Sequence, residues 1–361
     1  MRNPTWLLLW LLLGCDGPTP GVDAAMPVED AAPPPADAGT PLDPTALSFE
    51  ALTTQGEGPW SQWGFMAVAI DASHAVVIGG TNASQLGGEV FADAWRIEVG
   101  ATELTATRIE ASGPAPLYCG CAAYDSARNV VVVYGGRDLD VPSFAPATWE
   151  LDLGSSTWTQ IEGADQSPTT LGCAMARLPA TGELYLFGGA SQAAGVSDRL
   201  YRYDGAAWNA IEATGPVQRY DAVLFPTADG EGLYLFGGSY GASGAAFYSD
   251  LWRFDPDAEA WTELLLPETL VGRRGAWIVQ DPLRPGLYVG FGYDGTMAPL
   301  GDLWYADLER LTWAPIEVPF EGPVPRGFAP AIPGGEGALG AIFGGYSRTR
   351  PVFDAWRIVR P

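Results

Sequence analysis

The sequence has no lysine and a single histidine, His74, which argues against nucleic-acid binding and against histidine-based metal binding or catalysis. Its 19 basic residues are all arginine, against 43 acidic residues, and the net charge at pH 7 is −24. Nucleic acid would meet net repulsion, because its binding depends on basic groups that release counterions. One histidine also excludes a His-rich metal cluster and a pair of catalytic histidines. We therefore expect no nucleic-acid partner, no bound metal and no cofactor.

Long apolar runs are also missing, since the run near the N-terminus covers only residues 6–13. It is too short to span a bilayer as a helix, but after Arg2 it suits the apolar region of a secretory signal. The run ends in "LLGC", which resembles the lipobox of bacterial lipoproteins, where the cysteine is lipidated after cleavage. We predict a signal peptide over 1–14 and lipidation of Cys15. An ordinary secretory signal with an incidental cysteine is the alternative.

The segment 15–44 lacks aromatic and basic residues and is rich in proline, alanine and aspartate. Such a segment buries too little apolar surface to offset its loss of conformational entropy on ordering. We predict a disordered tether that holds a domain over 45–361 away from a membrane. This places the protein outside the cytoplasm, lipid-anchored to a bacterial membrane, with inner and outer membranes both open.

Apolar runs that end in paired glycines recur six times after residue 45. The first residues of the pairs are 49 to 56 residues apart, and a regular period near fifty predicts a β-propeller. The fifth pair is degraded, with Phe291 in place of its first glycine. The glycines predicted to be structural are Gly79, Gly80, Gly135, Gly136, Gly188, Gly189, Gly237, Gly238, Gly292, Gly344 and Gly345.

Each unit contains further short segments around its glycine pair. A short apolar stretch precedes the pair, as in "GCAMARL" (172–178), and an alternating one follows, as in "DLWRFD" (250–255). A last segment carries tryptophan in most units, as in "WTELL" (261–265). Four short, turn-bounded strands per unit are what an antiparallel propeller blade requires.

Paired glycines, an aromatic third segment and a tryptophan in the fourth resemble the Kelch repeat, and the resemblance covers residues 45–361. It implies an all-β fold: a six-bladed Kelch-type β-propeller of four-stranded antiparallel blades. The sixth unit stops after "DAWRIV" (354–359), and "LSFEALT" (47–53) looks like an orphan fourth strand. We predict that this N-terminal outer strand closes the ring, since closure removes open sheet edges.

The Kelch resemblance also implies a binding face. It is formed by the loops that lead into each first strand and by those between second and third strands. Arginine there would grip carboxylates, and tyrosine would stack on sugars or peptides. The alternative is that the arginines brace neighbouring blades. The candidates on these loops are Arg137, Arg219, Tyr240, Arg273, Arg274, Tyr293, Asp294, Arg326, Tyr346, Arg348 and Arg350.

Three cysteines remain beyond Cys15. Cys121 and Cys173 occupy the same first-strand position of neighbouring units, and export permits a disulfide. We predict that Cys173 pairs with either Cys119 or Cys121. Three buried thiols are the alternative.

The sequence predicts no catalytic residue. His74 falls in a turn between first and second strands, and "RDLDVP" (137–142) lacks the further ligands of a calcium loop. Copper oxidases with a Kelch propeller need histidine ligands, so that branch is excluded. We expect a monomeric, membrane-tethered binding or scaffold module for an envelope protein, peptide or glycan. Its lipid anchor would be its only membrane contact. The alternatives are an enzyme resembling the periplasmic Kelch-type sugar mutarotases, or a structural envelope spacer.

Overall fold

The structure, a computed structural model, describes most of the chain from Leu47 onward. The described residues are 47–84, 87–137, 147–163, 171–191, 195–241, 246–264, 269–281, 284–317 and 322–360. The predicted signal peptide, Cys15 and tether lie outside them, as do residues 138–142. None of the described ranges contains a helix, so none contains a helix long and apolar enough to cross a membrane.

Six consecutive units of strands make up these ranges, and we number them 1 to 6. The first strands of units 1 to 5 are β2 (Met66–Ala69), β6 (Cys121–Asp125), β10 (Ala174–Arg177), β16 (Val223–Pro226) and β22 (Trp277–Gln280). The second strands, which lead to the glycine pairs, are β3 (His74–Ile78), β7 (Val130–Tyr134), β11 (Leu184–Phe187), β17 (Leu233–Phe236), β23 (Gly286–Gly290) and β26 (Ala338–Phe343).

The outer half of each unit repeats in the same way. The third strands are β4 (Ala94–Val99), β8 (Thr148–Asp152), β14 (Leu200–Tyr203), β20 (Leu251–Asp255), β24 (Leu303–Asp307) and β27 (Ala355–Val359). The fourth strands are β5 (Glu103–Ile109), β9 (Thr157–Ile161), β15 (Trp208–Ile211), β21 (Ala260–Leu264) and β25 (Thr312–Ile316). Units 2 to 5 are four-stranded antiparallel sheets in the order first, second, third, fourth.

Burial along the strands explains this order. The second strand β7 is buried at all five positions, and a strand covered on both faces reads as a continuous apolar run. The fourth strand β21 buries Trp261 and exposes its neighbours on both sides, as expected for an outer strand with one covered face.

The glycine pairs end the second strands with a left-handed backbone. The first glycine of each intact pair has φ between 62° and 66°. A Cβ atom on Gly79 would lie 2.1 Å from the carbonyl oxygen of Leu117, and one on Gly237 would lie 2.7 Å from that of Arg273. The next unit therefore approaches the glycine too closely for a side chain. In unit 5, Phe291 adopts φ 56° at this position and packs against Trp277 with ring centroids 5.9 Å apart.

The N-terminal strand β1 (Ser48–Gln55) lies on the outer side of unit 6. It pairs antiparallel with β27 from Ser48 with Val359 to Leu52 with Ala355. Its last three residues pair in parallel with β5 of unit 1, a contact that the repeat pattern does not contain. Units 1 and 6 consequently share one seven-stranded sheet, in the order β2-β3-β4-β5-β1-β27-β26.

The inner strand of unit 6 differs from the four-stranded prediction. Only an isolated bridge joins Ile332 to Ala341, and no regular first strand is present among the described residues there. Pro330 and Pro333 flank this bridge. Proline has no N–H to donate, so it interrupts a ladder. Additional two-stranded hairpins occupy the second-to-third loops of units 3 and 4: β12 (Ala190–Ser191) with β13 (Gly195–Val196), and β18 (Ser239–Tyr240) with β19 (Ala246–Phe247).

The hydrophobic core lies between consecutive units rather than within one sheet. One cluster joins units 1 and 2, and others join 2 and 3, 3 and 4, 4 and 5, and 5 and 6. A further cluster packs Phe65 and Ile97 of unit 1 against Phe343 of unit 6. An all-β chain of four-stranded antiparallel sheets packed in this way is consistent with a β-propeller.

Candidate functional site

Arg273, predicted to lie on the binding face, is held in a buried ion pair. Its Nη1 and Nη2 donate to the two carboxylate oxygens of Asp302, at 2.8 and 2.7 Å. Nη1 also donates to the carbonyl oxygen of Phe291 at 3.2 Å, and Nε to that of Val271 at 3.1 Å. Burial opposes ionisation of Asp302, but the hydrogen bonds and charge of Arg273 outweigh it and hold the pKa of this carboxyl below its ordinary value.

The two-pronged hydrogen bond recurs between Arg219 and Asp250 of unit 4, and in unit 6 Arg326 forms an ion pair with Asp354 and donates to the Val324 and Gly344 carbonyls. All three arginine side chains have no exposed surface. We call these arginine–aspartate pairs the clamps. They are Arg219–Asp250 (2.5 Å) in unit 4, Arg273–Asp302 (2.7 Å) in unit 5 and Arg326–Asp354 (2.5 Å) in unit 6.

The main chain of each clamp arginine is also engaged, by the preceding unit. The Gly238 N–H donates to the Arg273 carbonyl at 2.8 Å, and the Arg273 N–H donates to the Tyr248 carbonyl at 2.9 Å. The side chain of Arg273 thus holds the loop to unit 5, while its backbone holds the loop to unit 4. The structure places these three predicted binding arginines in bracing contacts.

Unit 2 lacks both members of the clamp. Leu117 supplies the carbonyl that the arginine supplies elsewhere, accepting from Gly80 at 2.7 Å, and Ala147 takes the position of the aspartate. In unit 1 the equivalent aspartate, Asp93, pairs with the exposed Arg108 instead. Arginine and aspartate occur together in units 4 to 6 and are both absent from unit 2, while unit 1 keeps only the aspartate. This co-occurrence in units 4 to 6 is a signal of pairing that the sequence carries and that residue-by-residue reasoning missed.

One backbone position of every unit has a left-handed conformation, two residues before the first strand in units 1 to 5 and ahead of the irregular inner segment in unit 6. The φ values at these six positions lie between 55° and 62°. Each N–H donates to the carbonyl of the equivalent residue one unit earlier, at 2.7 to 3.1 Å, and the Gly64 N–H donates to the Phe328 carbonyl at 3.4 Å. We call these residues the inner cycle: Gly64, Cys119, Gly172, Asp221, Gly275 and Phe328.

Glycine alternates with a side chain around the inner cycle. A Cβ on Gly172 would lie 2.6 Å from Asp221 Oδ1, and one on Gly275 would lie 2.9 Å from the Phe328 ring. A Cβ on Gly64 would likewise lie 3.0 Å from Cys119 Sγ. Each side chain thus occupies the space that the preceding glycine leaves empty. A left-handed conformation costs a non-glycine residue about 1 kcal/mol or more.

Aromatic side chains cover one side of the inner cycle. Trp63 contacts Tyr118 and Tyr346, with ring centroids 5.7 and 5.1 Å apart, and Tyr293 contacts Phe328 at 5.7 Å. The Tyr293 hydroxyl donates to the carbonyl of Tyr346 at 2.6 Å. Burial raises the pKa of both Tyr293 and Tyr346, so both phenols stay neutral. The predicted face residues Tyr293 and Tyr346 are therefore packed together in a buried cluster.

Arg274 lies beside this cluster and is itself buried. Its guanidinium lies 5.6 to 5.8 Å from the ring centroids of Tyr220, Phe247 and Phe328, within the range of cation–π attraction. Its nearest carboxylate is that of Asp221, at 3.7 Å. Burial raises the pKa of Asp221, and the charge of Arg274 opposes this shift without cancelling it.

The remaining predicted residues are more accessible. Arg137 lies 6.0 Å from the Tyr118 ring centroid, and Tyr240 is half-buried in β18. Asp294 accepts hydrogen bonds from the backbone of Thr296 and Ala298 and caps its own loop. The side chains of Arg348 and Arg350 are exposed and form no ion pair with any described residue.

Four exposed apolar side chains sit next to the clamps, and sequence reasoning missed them. Val217, Val271 and Val324 each stand two residues before a clamp arginine and accept its Nε–H through their carbonyls, at 3.0 to 3.1 Å. About half of each valine is exposed. Phe353, which directly precedes Asp354 of the third clamp, is 64% exposed. The V-x-R spacing was available in the sequence as a signal.

Cys121 and Cys173 form a disulfide between units 2 and 3, with Cα atoms 5.6 Å apart. This is one of the two pairings that the sequence left open, and Cys119 is not part of it. His74 begins β3, and its Nδ1 lies 2.8 Å from Asp71 in the adjacent turn. Among the described residues, no group of three or more His, Cys, Asp or Glu side chains is placed to hold a metal ion.

Known proteins show similarity to part of the chain. Kelch domain-containing protein 3 of Homo sapiens and that of Rattus norvegicus are each 24% identical over 228 residues. The match covers 55% of this chain and 54% of the relatives, so the chain spans about half the length of the curated relatives it matches. The protein of Bos taurus is 25% identical over the same length.

No model of a known protein family matches the chain. The repeated sheets, the left-handed glycine pairs and the similarity to Kelch domain-containing protein 3 nevertheless point the same way. The chain is thus similar to a Kelch-repeat protein over about half of its length.

Proposed function

We propose that the chain is a closed six-bladed propeller that serves as a protein-binding scaffold. Three observations support closure. The inner cycle returns from Phe328 to Gly64, and hydrophobic residues of unit 6 pack against those of unit 1. The strand β1 supplies the outer strand that unit 6 lacks.

The exposed apolar side chains beside the clamps carry the binding proposal. Val217, Val271, Val324 and Phe353 are attached to backbone that the buried clamps fix in place. A surface held rigid before binding loses little conformational entropy on association. Exposed apolar residues on rigid loops thus provide anchors for a partner, with the polar loop residues as a surrounding rim.

The charges on this face suggest the chemistry of the partner. Arg348 and Arg350 are exposed near Phe353, on a protein whose net charge is −24. We take the partner to be an envelope protein that offers an apolar side chain flanked by carboxylates, because arginine pairs with carboxylate in bidentate fashion. A peptide and a glycan are the other outcomes of the test.

The tethering is part of the same proposal. Lipidation of Cys15 and a tether over 15–44 would hold a monomeric propeller outside the cytoplasm, with the lipid as its only membrane contact. Metabolic labelling with a palmitate analogue tests this. The natural chain should take up the label and sediment with membranes, and Cys15→Ser should do neither. Equal labelling of both would refute lipidation at Cys15.

The binding face is tested with matched surface variants of the full chain. One variant combines Val271→Gln, Val324→Gln and Phe353→Gln, and the control is Leu311→Gln. Leu311 is 45% exposed in the turn between β24 and β25, away from the clamps. Envelope proteins captured by the natural chain are identified, and the affinity of each purified candidate is measured.

The expected result is at least a tenfold weaker affinity for the triple variant at an unchanged melting temperature, with the Leu311 variant unaffected. Equal binding by both variants would refute the face. Capture of a glycan that depends on the same side chains would replace the protein partner. Acceleration of sugar anomerisation would indicate an enzyme, and no capture at all would indicate a spacer.

A further inference from the structure

A cavity of about 320 Å³ lies below the inner cycle. The cavity is lined by the six residues of the inner cycle and by residues that follow each of them in the chain. The volume falls at the lower end of the range of small-molecule pockets in proteins. We call this space the inner cavity.

The walls of the inner cavity combine backbone and apolar groups. The strands β2, β6, β10, β16 and β22 each pair with only one neighbouring strand, so their other edges carry unpaired N–H and C=O groups. The apolar lining includes Phe65, Met175 and Leu224. Among the described residues, Asp221 is the only charged side chain in the lining.

The carboxylate of Asp221 has too few partners for its burial. Its side chain is only 12% exposed, and it accepts no hydrogen bond from any described residue. A buried charged group without hydrogen bonds costs folding free energy. Its backbone adds a second cost, because φ is 56° at this position. Two costs at one residue that faces a cavity indicate a group retained for a ligand.

Arg274 does not satisfy this carboxylate. It approaches Asp221 Oδ2 only to 3.7 Å, while its Nη1 donates to the Tyr220 hydroxyl at 3.2 Å. Its Nη2 contacts Met297 Sδ at 3.3 Å. Asp221 Oδ1 lies over Gly172, which lines the cavity. This oxygen is therefore the one that a bound ligand would meet.

We propose that the inner cavity binds a small organic ligand through a primary ammonium group. An ammonium carries three N–H donors, so one can bond Asp221 while the others meet carbonyl oxygens of the strand edges. The apolar lining would cover the rest of the ligand. An anion would be repelled by Asp221, and a quaternary amine has no N–H to donate. This site is independent of the loop face and of any partner protein.

The probe is benzylammonium chloride, with benzyl alcohol as its neutral counterpart, titrated into the full chain by calorimetry. We expect the ammonium to bind at least tenfold more tightly than the alcohol. Asp221→Asn should weaken ammonium binding at least tenfold and leave alcohol binding unchanged. Asparagine tolerates a left-handed backbone, so this variant keeps the local fold. Asp198→Asn, which alters an exposed carboxylate outside the cavity lining, should bind as the natural chain does.

Three results would overturn the proposal. They are equal affinities for ammonium and alcohol, equal ammonium affinities for Asp221→Asn and the natural chain, and displacement of the ammonium by millimolar calcium. The last would assign the cavity to an inorganic cation. If Asp221→Asn melts at a lower temperature than the natural chain, Asp221→Gly replaces it, because glycine adopts φ 56° without strain.

Discussion

Among the residues of the inner cycle, Asp221 is the one whose contribution to the free energy of unfolding is easiest to measure. Its pKa is raised above the ordinary value of 3.8 by burial, even with Arg274 nearby. The folded protein therefore binds this proton more tightly than the unfolded chain does. Stability attributable to Asp221 consequently falls as the pH rises from about 3.8 through the raised pKa.

We expect Asp221→Asn to be more stable than the natural chain at pH 7, by about 1 kcal/mol, because the amide carries no charge to desolvate. The difference should be smaller at pH 4 than at pH 7, because the raised pKa favours the protonated side chain as the pH falls. Urea unfolding of both proteins at the two pH values measures it. An advantage that is equal at both pH values, or a loss of stability at pH 7, would contradict the raised pKa.

The clamp of unit 5 gives a second prediction for single residues. Arg273→Leu removes the guanidinium from Asp302, which keeps only the Trp304 Nε1 donor, and leaves the Phe291 carbonyl without its arginine partner. We therefore expect the free energy of unfolding to fall by about 3 kcal/mol. Adding Asp302→Ala recreates the Leu117 and Ala147 combination of unit 2, and the double variant should recover part of that loss. Denaturant unfolding of both variants is the measurement.

Arg348→Leu is the control for the clamp variants, because Arg348 is exposed and should change stability by less than about 0.5 kcal/mol. Equal effects of Arg273→Leu and Arg348→Leu would show that the clamp does not brace the loop. A double variant less stable than Arg273→Leu would show that the hydrogen bond from Trp304 Nε1 to Asp302 outweighs the cost of the unpaired charge.

At the scale of strands, β1 joins two units that are far apart in the sequence. Phe49 and Leu52 are buried in different hydrophobic clusters, with units 5 and 6 and with units 1 and 6 respectively. A chain that begins at residue 56 exposes these clusters and the edges of β27 and β5. We expect its melting temperature to fall by more than 10 °C, because the buried apolar area that is lost contributes several kilocalories per mole to stability.

A chain that begins at residue 45 is the matched control for this truncation. It retains β1 and lacks the predicted tether, so its melting temperature should equal that of the longer chain. Thermal unfolding followed by circular dichroism compares the two. Equal melting temperatures for the chains that begin at 45 and at 56 would contradict a structural role of β1.

The sequence predicted the repeated strands well, because alternation and glycine pairs are local signals. It predicted that "LSFEALT" is an outer strand, but not that β1 also pairs in parallel with β5, since that contact joins two units and repeats nowhere. The irregular inner strand of unit 6 follows from Pro330 and Pro333, because proline cannot donate a hydrogen bond to the neighbouring strand. This effect could be predicted from the sequence.

The candidate site was harder to predict than the strands. The sequence places both Arg273 and Arg348 on loops of the predicted binding face, yet one is buried in a clamp and the other is exposed. Only the pairing with Asp302, 29 residues away, separates them. The inner cavity depends on segments from all six units, so no local pattern in the sequence marks Asp221 as its charged residue.

For the whole molecule, two electrostatic contributions to stability respond differently to salt: the large net charge and the buried ion pairs. The net charge of −24 destabilises the compact state by self-repulsion. The clamp arginines, by contrast, have no exposed surface, and buried pairs are screened much less by salt than exposed charges are. Added salt should therefore weaken the repulsion more than it weakens the clamps.

We expect the melting temperature to rise by a few degrees when the ionic strength increases from about 10 to about 100 mM, which shortens the Debye length from about 30 to about 10 Å. Differential scanning calorimetry of the full chain measures the shift. Sodium chloride and magnesium chloride at equal ionic strength should give equal shifts if screening is the cause. A larger shift with magnesium would indicate specific cation binding instead, and a fall with both salts would show that exposed ion pairs outweigh the self-repulsion.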